Sequence, residues 1–137
     1  MLDKIFVITK FLSSIRFEFR ETSGGYIHVE EHKSWIAAKK HCLSLNTRLM
    51  EIRTQEDFDR AKRIKSEIGS DFYVGGSDRK VEGEWLWESN GELIDINRFW
   101  RRWEPNDNGG QDCLYMRSGG FDDWKCDEDQ AFVCDFY

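Results

Sequence analysis

Apolar and polar residues alternate in several short stretches of the chain, and this alternation is typical of half-buried β-strands. The clearest stretch is residues 15–20, where apolar and charged side chains follow one another until Gly24 and Gly25 interrupt the pattern. Residues 26–29 predict a second strand. Further short apolar runs predict strands at residues 49–52, 72–76, 85–87, 113–116, 121–124 and 131–136.

Two other stretches repeat apolar residues every three or four positions, which predicts amphipathic helices. The first helix is capped by Ser34 and ends near Asn46. Its apolar face consists of Trp35, Ala38, Cys42 and Leu45. The second helix begins where Thr54 and Asp57 form a capping-box pattern, and Gly69 stops it. Its inward face consists of Phe58, Ala61, Ile64 and Ile68. This mixture of helices and strands predicts a single α+β unit.

The composition sets limits on this unit. With 137 residues, including ten Phe, six Trp and four Tyr, the chain is long enough for one domain with a substantial core. No apolar run approaches the roughly 18–20 residues needed to cross a bilayer, so no membrane span is predicted. Four tryptophans are interpreted as core residues rather than exposed platforms: Trp85, Trp87, Trp100 and Trp103.

Negative charge is concentrated towards the end of the chain. The formal net charge is −6, yet residues 104–135 alone hold nine acidic residues against Arg117 and Lys125, a net of −7. Nucleic-acid binding needs clustered Lys and Arg, so this distribution argues against it. The acidic quarter indicates either cation binding or a solvated acidic face, and charge alone leaves both open.

The same quarter is rich in side-chain oxygen atoms. Seven donors crowd into about twenty residues: Glu104, Asn106, Asp107, Gln111, Asp112, Asp122 and Asp123. Calcium prefers six to eight oxygen ligands, mostly carboxylate, carboxamide and carbonyl. We therefore hypothesise a calcium site built from loops.

Four cysteines lie at positions 42, 113, 126 and 134, and they allow three disulfide pairings. No C-x-x-C pair is present to favour a zinc site, so disulfides in an oxidising compartment are the better interpretation. This predicts a secreted or extracellular protein. Residues 1–25 fit less well, because Asp3 comes early and no small-residue cleavage site follows. This extension is either a degenerate signal sequence or an extra strand, and the sequence leaves both open.

Several short motifs occur in a fixed order along the chain. They are the Trp35 helix with Cys42, residues 73–78, 83–87, 104–106 and 111–113, residues 121–123 ahead of Cys126, and residues 132–134. Together they resemble a C-type lectin-like domain over residues 26–137, with residues 1–25 as an N-terminal extension. The resemblance implies an α+β fold in which two helices flank short antiparallel strands and a long calcium-binding loop region. It also implies the disulfides Cys42–Cys134 and Cys113–Cys126.

The resemblance further implies a ligand set. A primary Ca²⁺ would be held by Glu104, Asn106, Gln111, Asp122 and Asp123, with Pro105 in the cis form. Vicinal sugar hydroxyls would complete the calcium shell, contacted by Glu104, Asn106, Gln111 and Asp122 and stacked on Trp124. An auxiliary Ca²⁺ would be held by Asp78, Glu82, Asp107 and Asp112.

Two positions depart from the family pattern. Gln111 stands where the family usually has Glu, and Asp122 stands where it usually has Asn. Glu104 with Asn106 keeps the usual order of acceptor and donor, whereas Gln111 with Asp122 reverses it. We therefore expect galactose-like or broadened specificity despite the Glu104-Pro105-Asn106 tripeptide.

These observations predict calcium-dependent carbohydrate binding without enzymatic activity, with a glycan or glycoprotein as the partner. The alternative is a lectin-like interaction module that binds a protein, mineral or ice surface. A metal-dependent hydrolase ranks last, because no nucleophile or general base accompanies the acidic cluster. The oligomeric state, including a homo-oligomer, is left open.

Overall fold

The computed structural model describes residues 5–9, 16–20, 25–106 and 110–136. Two helices and nine strands occur within these residues, as the α+β prediction requires. The helices are α1 (Trp35–Ser44) and α2 (Gln55–Ile68). The strands are β1 (Ile5–Thr9), β2 (Arg16–Arg20), β3 (Tyr26–Lys33), β4 (Arg48–Leu49), β5 (Phe72–Ser77), β6 (Leu86–Trp87), β7 (Cys113–Arg117), β8 (Gly120–Trp124) and β9 (Gln130–Asp135).

Both helices begin and end where local sequence signals place them. The Ser34 side chain accepts a hydrogen bond from a backbone N–H in the first turn of α1. Thr54 and Asp57 form the full capping box at the start of α2, each side chain bonding to the other residue's backbone. Gly69 ends α2 in the left-handed conformation that glycine adopts without strain. Both predicted helices are confirmed.

The sheet runs in the order β1-β2-β3-β9-β5-β7-β8, with β4 paired to β9 and β6 paired to β5. All pairings are antiparallel except β5 with β9, which is parallel. The last strand therefore lies near the centre of the sheet, between the first strands of the chain and the loop-bearing half. The N-terminal extension contributes two strands, β1 and β2, to one edge of the sheet.

Two disulfides tie these elements together. Cys42 of α1 is bonded to Cys134 of β9, and Cys113 of β7 is bonded to Cys126 just after β8. This is the pairing that the resemblance implies. Trp35 is fully buried beside the first disulfide and donates from Nε1 to the Val74 carbonyl at 2.9 Å, so it joins α1 to β5.

Two predictions are wrong in detail. The run at residues 49–52 is a strand only at Arg48–Leu49, although Met50 and Ile52 are fully buried. Trp85 and Trp87 are buried as predicted, but Trp103 is 81% exposed and its backbone has a positive φ of 72°. Trp103 lies in the loop outside the core, where neither strand pairing nor an apolar face holds the side chain inward.

The long loop region connects β6 to β7. Short pairings hold it to the sheet, including the isolated bridge between Trp100 and Phe121. Neither helix in the described residues is long and apolar enough to cross a membrane.

Candidate metal and ligand site

The β7–β8 hairpin carries two deeply buried acidic residues. Asp122 pairs with Tyr115 and Asp123 with Leu114 across the hairpin, and neither aspartate is more than 4% exposed. Adjacent residues in a strand point to opposite faces. The hairpin pairing therefore fixes the backbone of both aspartates, and one carboxylate oxygen of each still lies within 4.8 Å of the other.

Three carboxylates converge at this hairpin. One oxygen each from Glu104, Asp122 and Asp123 lies within 4.8 Å of the others. Glu104 reaches the cluster from a loop that contains the cis Glu104-Pro105 peptide bond. We call this group the primary cluster.

The primary cluster has unused acceptor capacity. The Oε2 atom of Glu104 is buried and has no hydrogen-bond partner among the described residues, while Oε1 accepts a bond from Asn106 Nδ2. A buried carboxylate oxygen without a donor is costly. Burial, together with the nearby Asp122 and Asp123, raises the pKa of Glu104 to about 8.

Two arginines flank Asp122. Its Oδ2 atom accepts hydrogen bonds from Arg117 at 2.8 Å and from Arg101 at 3.1 Å. Burial opposes ionisation of Asp122, but the neighbouring Glu104 carboxyl and the bond from Arg117 outweigh it and hold the pKa of Asp122 below its usual value. The predicted site did not include these arginines. Arg117 could have been found, because it is a diagonal neighbour of Asp122 in the hairpin register.

A second group of carboxylates, the auxiliary cluster, lies at the end of β5. Asp78, Glu82 and Asp112 each bring one oxygen to within 4.8 Å of the others. The Oδ1 atoms of Asp78 and Asp112 are buried without a hydrogen-bond partner in the described part of the chain. Burial and the neighbouring Glu82 raise the pKa of Asp78 to about 8. Asp107, the fourth predicted auxiliary ligand, lies outside the described residues.

Two other predicted ligand-binding residues, Gln111 and Trp124, lie near the residues of the primary cluster in the sequence. Gln111 is half-buried directly before Asp112. Trp124 is also half-buried, and its ring stacks on Tyr115 with the centroids 4.8 Å apart. The Arg117 guanidinium lies over the Trp124 ring, 5.2 Å from its centroid. Trp124 is therefore held rigidly at the end of β8.

Both clusters fit a hard divalent cation. Their donors are oxygens, which calcium and magnesium prefer, and no softer ligand is present in either group. Three ionised carboxylates repel one another, and either bound protons or a cation relieve this repulsion. The raised pKa values of Glu104 and Asp78 mean that, without a cation, these carboxyls keep a proton at neutral pH, and the proton relieves the repulsion.

The profile of the family described as Lectin C-type domain matches residues 31–136, so the chain belongs to the C-type lectin domain family. C-type lectin domain family 4 member M from Gorilla gorilla gorilla is 26% identical over 110 residues, covering 80% of this chain and 29% of the relative. The chain thus spans less than a third of that relative's length. Proteins of this family are non-enzymatic binding proteins, and the domain is accordingly not an enzyme.

Solved structures share the fold. The carbohydrate-recognition domain of cow CD23, solved in the presence of a GlcNAc2Man3 oligosaccharide, has a TM-score of 0.72 at 29% identity, covering 89% of this chain and 92% of that chain. The calcium-free form of a Ca²⁺-dependent type II antifreeze protein has a TM-score of 0.69 at 21% identity, covering 80% of this chain and 89% of that chain. The second likeness concerns the fold alone.

Proposed function

We propose that the domain binds carbohydrate through a calcium ion held by residues of the primary cluster and its neighbours. The proposed ligands are Glu104, Asn106, Gln111, Asp122 and Asp123. The observation that carries this proposal is the convergence of three carboxylates where Glu104 Oε2 is buried without a partner. A cation is the partner that this oxygen lacks.

The comparisons support carbohydrate as the ligand class. The cow CD23 domain was solved in the presence of an oligosaccharide, and it matches this chain at 29% sequence identity. The proposed partner is therefore a glycan or a glycoprotein. The two disulfides support a secreted or extracellular location, where such bonds persist.

The chain's own residues would orient the sugar. Bound calcium would offer open coordination positions to two neighbouring hydroxyls. Glu104 can only accept a hydrogen bond when ionised, whereas the amide of Asn106 can donate one, so together they would bind one hydroxyl. Gln111 and Asp122 would serve the other hydroxyl with donor and acceptor reversed, and Trp124 would contact the apolar face of the ring.

This reversed order is the basis for specificity. The neighbouring Glu104 carboxyl and Arg117 hold the pKa of Asp122 below its usual value, so its carboxylate acts as an acceptor where a carboxamide would donate. We propose galactose-like or broadened specificity on this ground. The auxiliary cluster, with Asp107 as a fourth ligand, would hold a second calcium ion that orders the loop without touching the sugar.

A second candidate function is a lectin-like interaction module for a protein, mineral or ice surface. The likeness in fold to an antifreeze protein favours keeping it as an alternative. This module would bind calcium without retaining any sugar.

Calorimetry and affinity chromatography test the proposal together. At about pH 8 the oxidised domain should release or absorb heat with added Ca²⁺, and a galactose resin should retain it until EDTA is added. Glu104→Gln should lose retention on the resin and the part of the calcium heat that comes from the primary cluster, because it removes one ligand charge there, while the auxiliary cluster should still bind calcium. Asp127→Asn, an exposed carboxylate outside both clusters, should lose neither. Absence of calcium binding would reject both candidate functions, whereas calcium binding without retention on galactose or mannose resin would favour the interaction module.

A further inference from the structure

A cleft lies beside α1, and no residue of either carboxylate cluster lines it. Its volume is about 320 Å³, which is in the range of small-molecule sites. Three of its lining residues are cationic: Lys39 of α1, and Arg79 and Lys80 in the segment after β5. The chain as a whole carries a net charge of −6, so this basic cleft differs in sign from the rest of the molecule.

The cations are held in place by a buried aromatic ring. The Lys39 ammonium lies 5.8 Å from the centroid of Trp35, and the Arg79 guanidinium lies 5.5 Å from the same ring system. Cation–π attraction of this kind holds both side chains near one point despite their mutual repulsion. The basic cleft is therefore partly preorganised rather than a chance grouping of mobile side chains.

The acidic residue that lines the cleft does not neutralise it. Glu88 accepts a bond from Lys39 at 2.8 Å through Oε2 and from the Ser77 hydroxyl at 3.2 Å through Oε1, so both of its oxygens are used. Arg79 and Lys80 are exposed and form no ion pair with any described residue. Two positive charges consequently face the cleft without a counter-charge from the described chain.

We propose that the basic cleft binds the sulfate or phosphate ester of an anionic saccharide. Such groups form charge-assisted hydrogen bonds with Arg and Lys, and a concave site concentrates the positive field. The volume is roughly ten times the share of one water molecule, which is more than a lone sulfate ion needs and enough for a sugar bearing one. The negative net charge disfavours nucleic acid, which requires a wider basic surface.

This site is separate from the proposed calcium-dependent one. Its lining residues are not calcium ligands, and binding there depends on charge rather than on vicinal hydroxyls. Asp78 of the auxiliary cluster follows Ser77 directly, so once this carboxyl is ionised, above its raised pKa, its charge opposes an anion unless a cation is bound. Binding to this cleft should therefore be measured in calcium-containing buffer.

The test uses a heparin oligosaccharide, its desulfated form and a phosphorylated mannose oligosaccharide, with affinity measured by titration at low and high salt. Measured on the Glu104→Gln variant, which lacks the proposed calcium-dependent sugar site, the domain should bind an ester-bearing probe, should not bind the desulfated one, and should lose affinity as salt rises. The two ester-bearing probes distinguish sulfate from phosphate. A single-stranded oligonucleotide that bound as tightly would overturn the assignment to a saccharide.

Two matched double variants distinguish binding in this cleft from general attraction to positive surface charge. Arg79→Ser with Lys80→Ser should weaken binding about tenfold or more, because both uncompensated cations are removed. Lys62→Ser with Arg63→Ser removes the same charge from exposed positions of α2 and should change affinity less than about twofold. Equal losses in the two double variants would overturn the proposal. Glu104→Gln, which abolishes the proposed calcium-dependent sugar binding, should leave this affinity intact, so the two sites fail independently.

Discussion

At the scale of single residues, Gln111 and Asp122 determine the expected sugar preference. Asp122 is a pure acceptor because Glu104 and Arg117 lower the pKa of its carboxyl, and its carboxylate also pairs with Arg101. The double variant Gln111→Glu, Asp122→Asn would restore the same donor and acceptor order at both hydroxyls while keeping the formal ligand charge at that of the unaltered set. We expect it to prefer mannose over galactose, whereas the unaltered domain should prefer galactose or bind both.

Competition by free methyl glycosides on immobilised protein measures this change. Asp122→Asn keeps a side-chain oxygen as an acceptor, and both arginines are about one-third exposed to water, so the double variant should still fold. Melting curves provide the control for folding. An unchanged preference in a folded double variant would show that hydrogen-bond order does not set specificity here.

Gly120 is a position where backbone geometry limits the site. Its φ is +131°, and a Cβ atom there would lie only 2.1 Å from the Phe99 carbonyl oxygen. Gly120→Ala should therefore lower the free energy of unfolding by about 3 kcal/mol, because strain and a backbone clash combine. Gly69→Ala is the control, since φ there is also positive but nothing lies within 4 Å, and about 1 kcal/mol is expected. Urea unfolding measures both, and equal costs would contradict the clash.

At the scale of elements, Glu51 connects the segment after β4 to the long loop. This side chain is almost fully buried. It accepts hydrogen bonds from the backbone N–H and the hydroxyl of Ser89, and it forms an ion pair with Arg53. Glu51→Ala would leave these donors without their common acceptor. We expect a loss of about 3 kcal/mol of unfolding free energy.

An exposed partner of the same arginine provides the comparison for Glu51. Glu92 also pairs with Arg53, but its side chain is 65% exposed. Glu92→Ala should cost less than about 1 kcal/mol, as is usual for surface ion pairs. Chemical unfolding of both variants would distinguish a structural anchor from a solvated charge, and similar losses would contradict the anchor.

Local signals explain which elements the sequence predicts well. The caps at Ser34, Thr54 and Gly69 act through neighbouring backbone atoms, so both helices are predictable from a few residues. The position of β9 at the centre of the sheet is a non-local property. It depends on pairing with β3, which lies about a hundred residues earlier, and no pattern within either strand specifies that partner.

The candidate site also contains both residues that local motifs identify and residues that only the tertiary fold brings into contact. The resemblance supplied Glu104, Asp122 and Asp123, which the structure brings together, but it did not supply Arg101, whose contact crosses a loop. The exposure of Trp103 was also missed, because hydrophobicity predicts burial only where an element directs the side chain to the core. Motif order identifies ligand candidates, whereas their charge partners depend on the tertiary fold.

At the scale of the whole molecule, the two carboxylate clusters make stability depend on pH. Glu104 and Asp78 each have a pKa of about 8 in the folded, metal-free protein, against 4.5 and 3.8 as ordinary values. At pH values between the ordinary and the raised pKa values, the folded state holds more protons than the unfolded state, so the free energy of unfolding must fall as pH rises. His41 acts in the opposite direction, because burial lowers its pKa, but only below its ordinary value of 6.5.

Measurements above about pH 7 therefore isolate the carboxylates. In EDTA the melting temperature should fall between about pH 7 and about pH 8.5, as Glu104 and Asp78 lose protons and the clusters acquire uncompensated charge. With saturating Ca²⁺ the ionised form is the one that binds, so the fall should disappear and the melting temperature should exceed that in EDTA at every pH in this window. The double variant Glu104→Gln, Asp78→Asn removes both titrations and should be insensitive to pH in EDTA. Calcium-free protein whose melting temperature rose across this window would mean that the clusters are already neutralised within the chain and have no need of a cation.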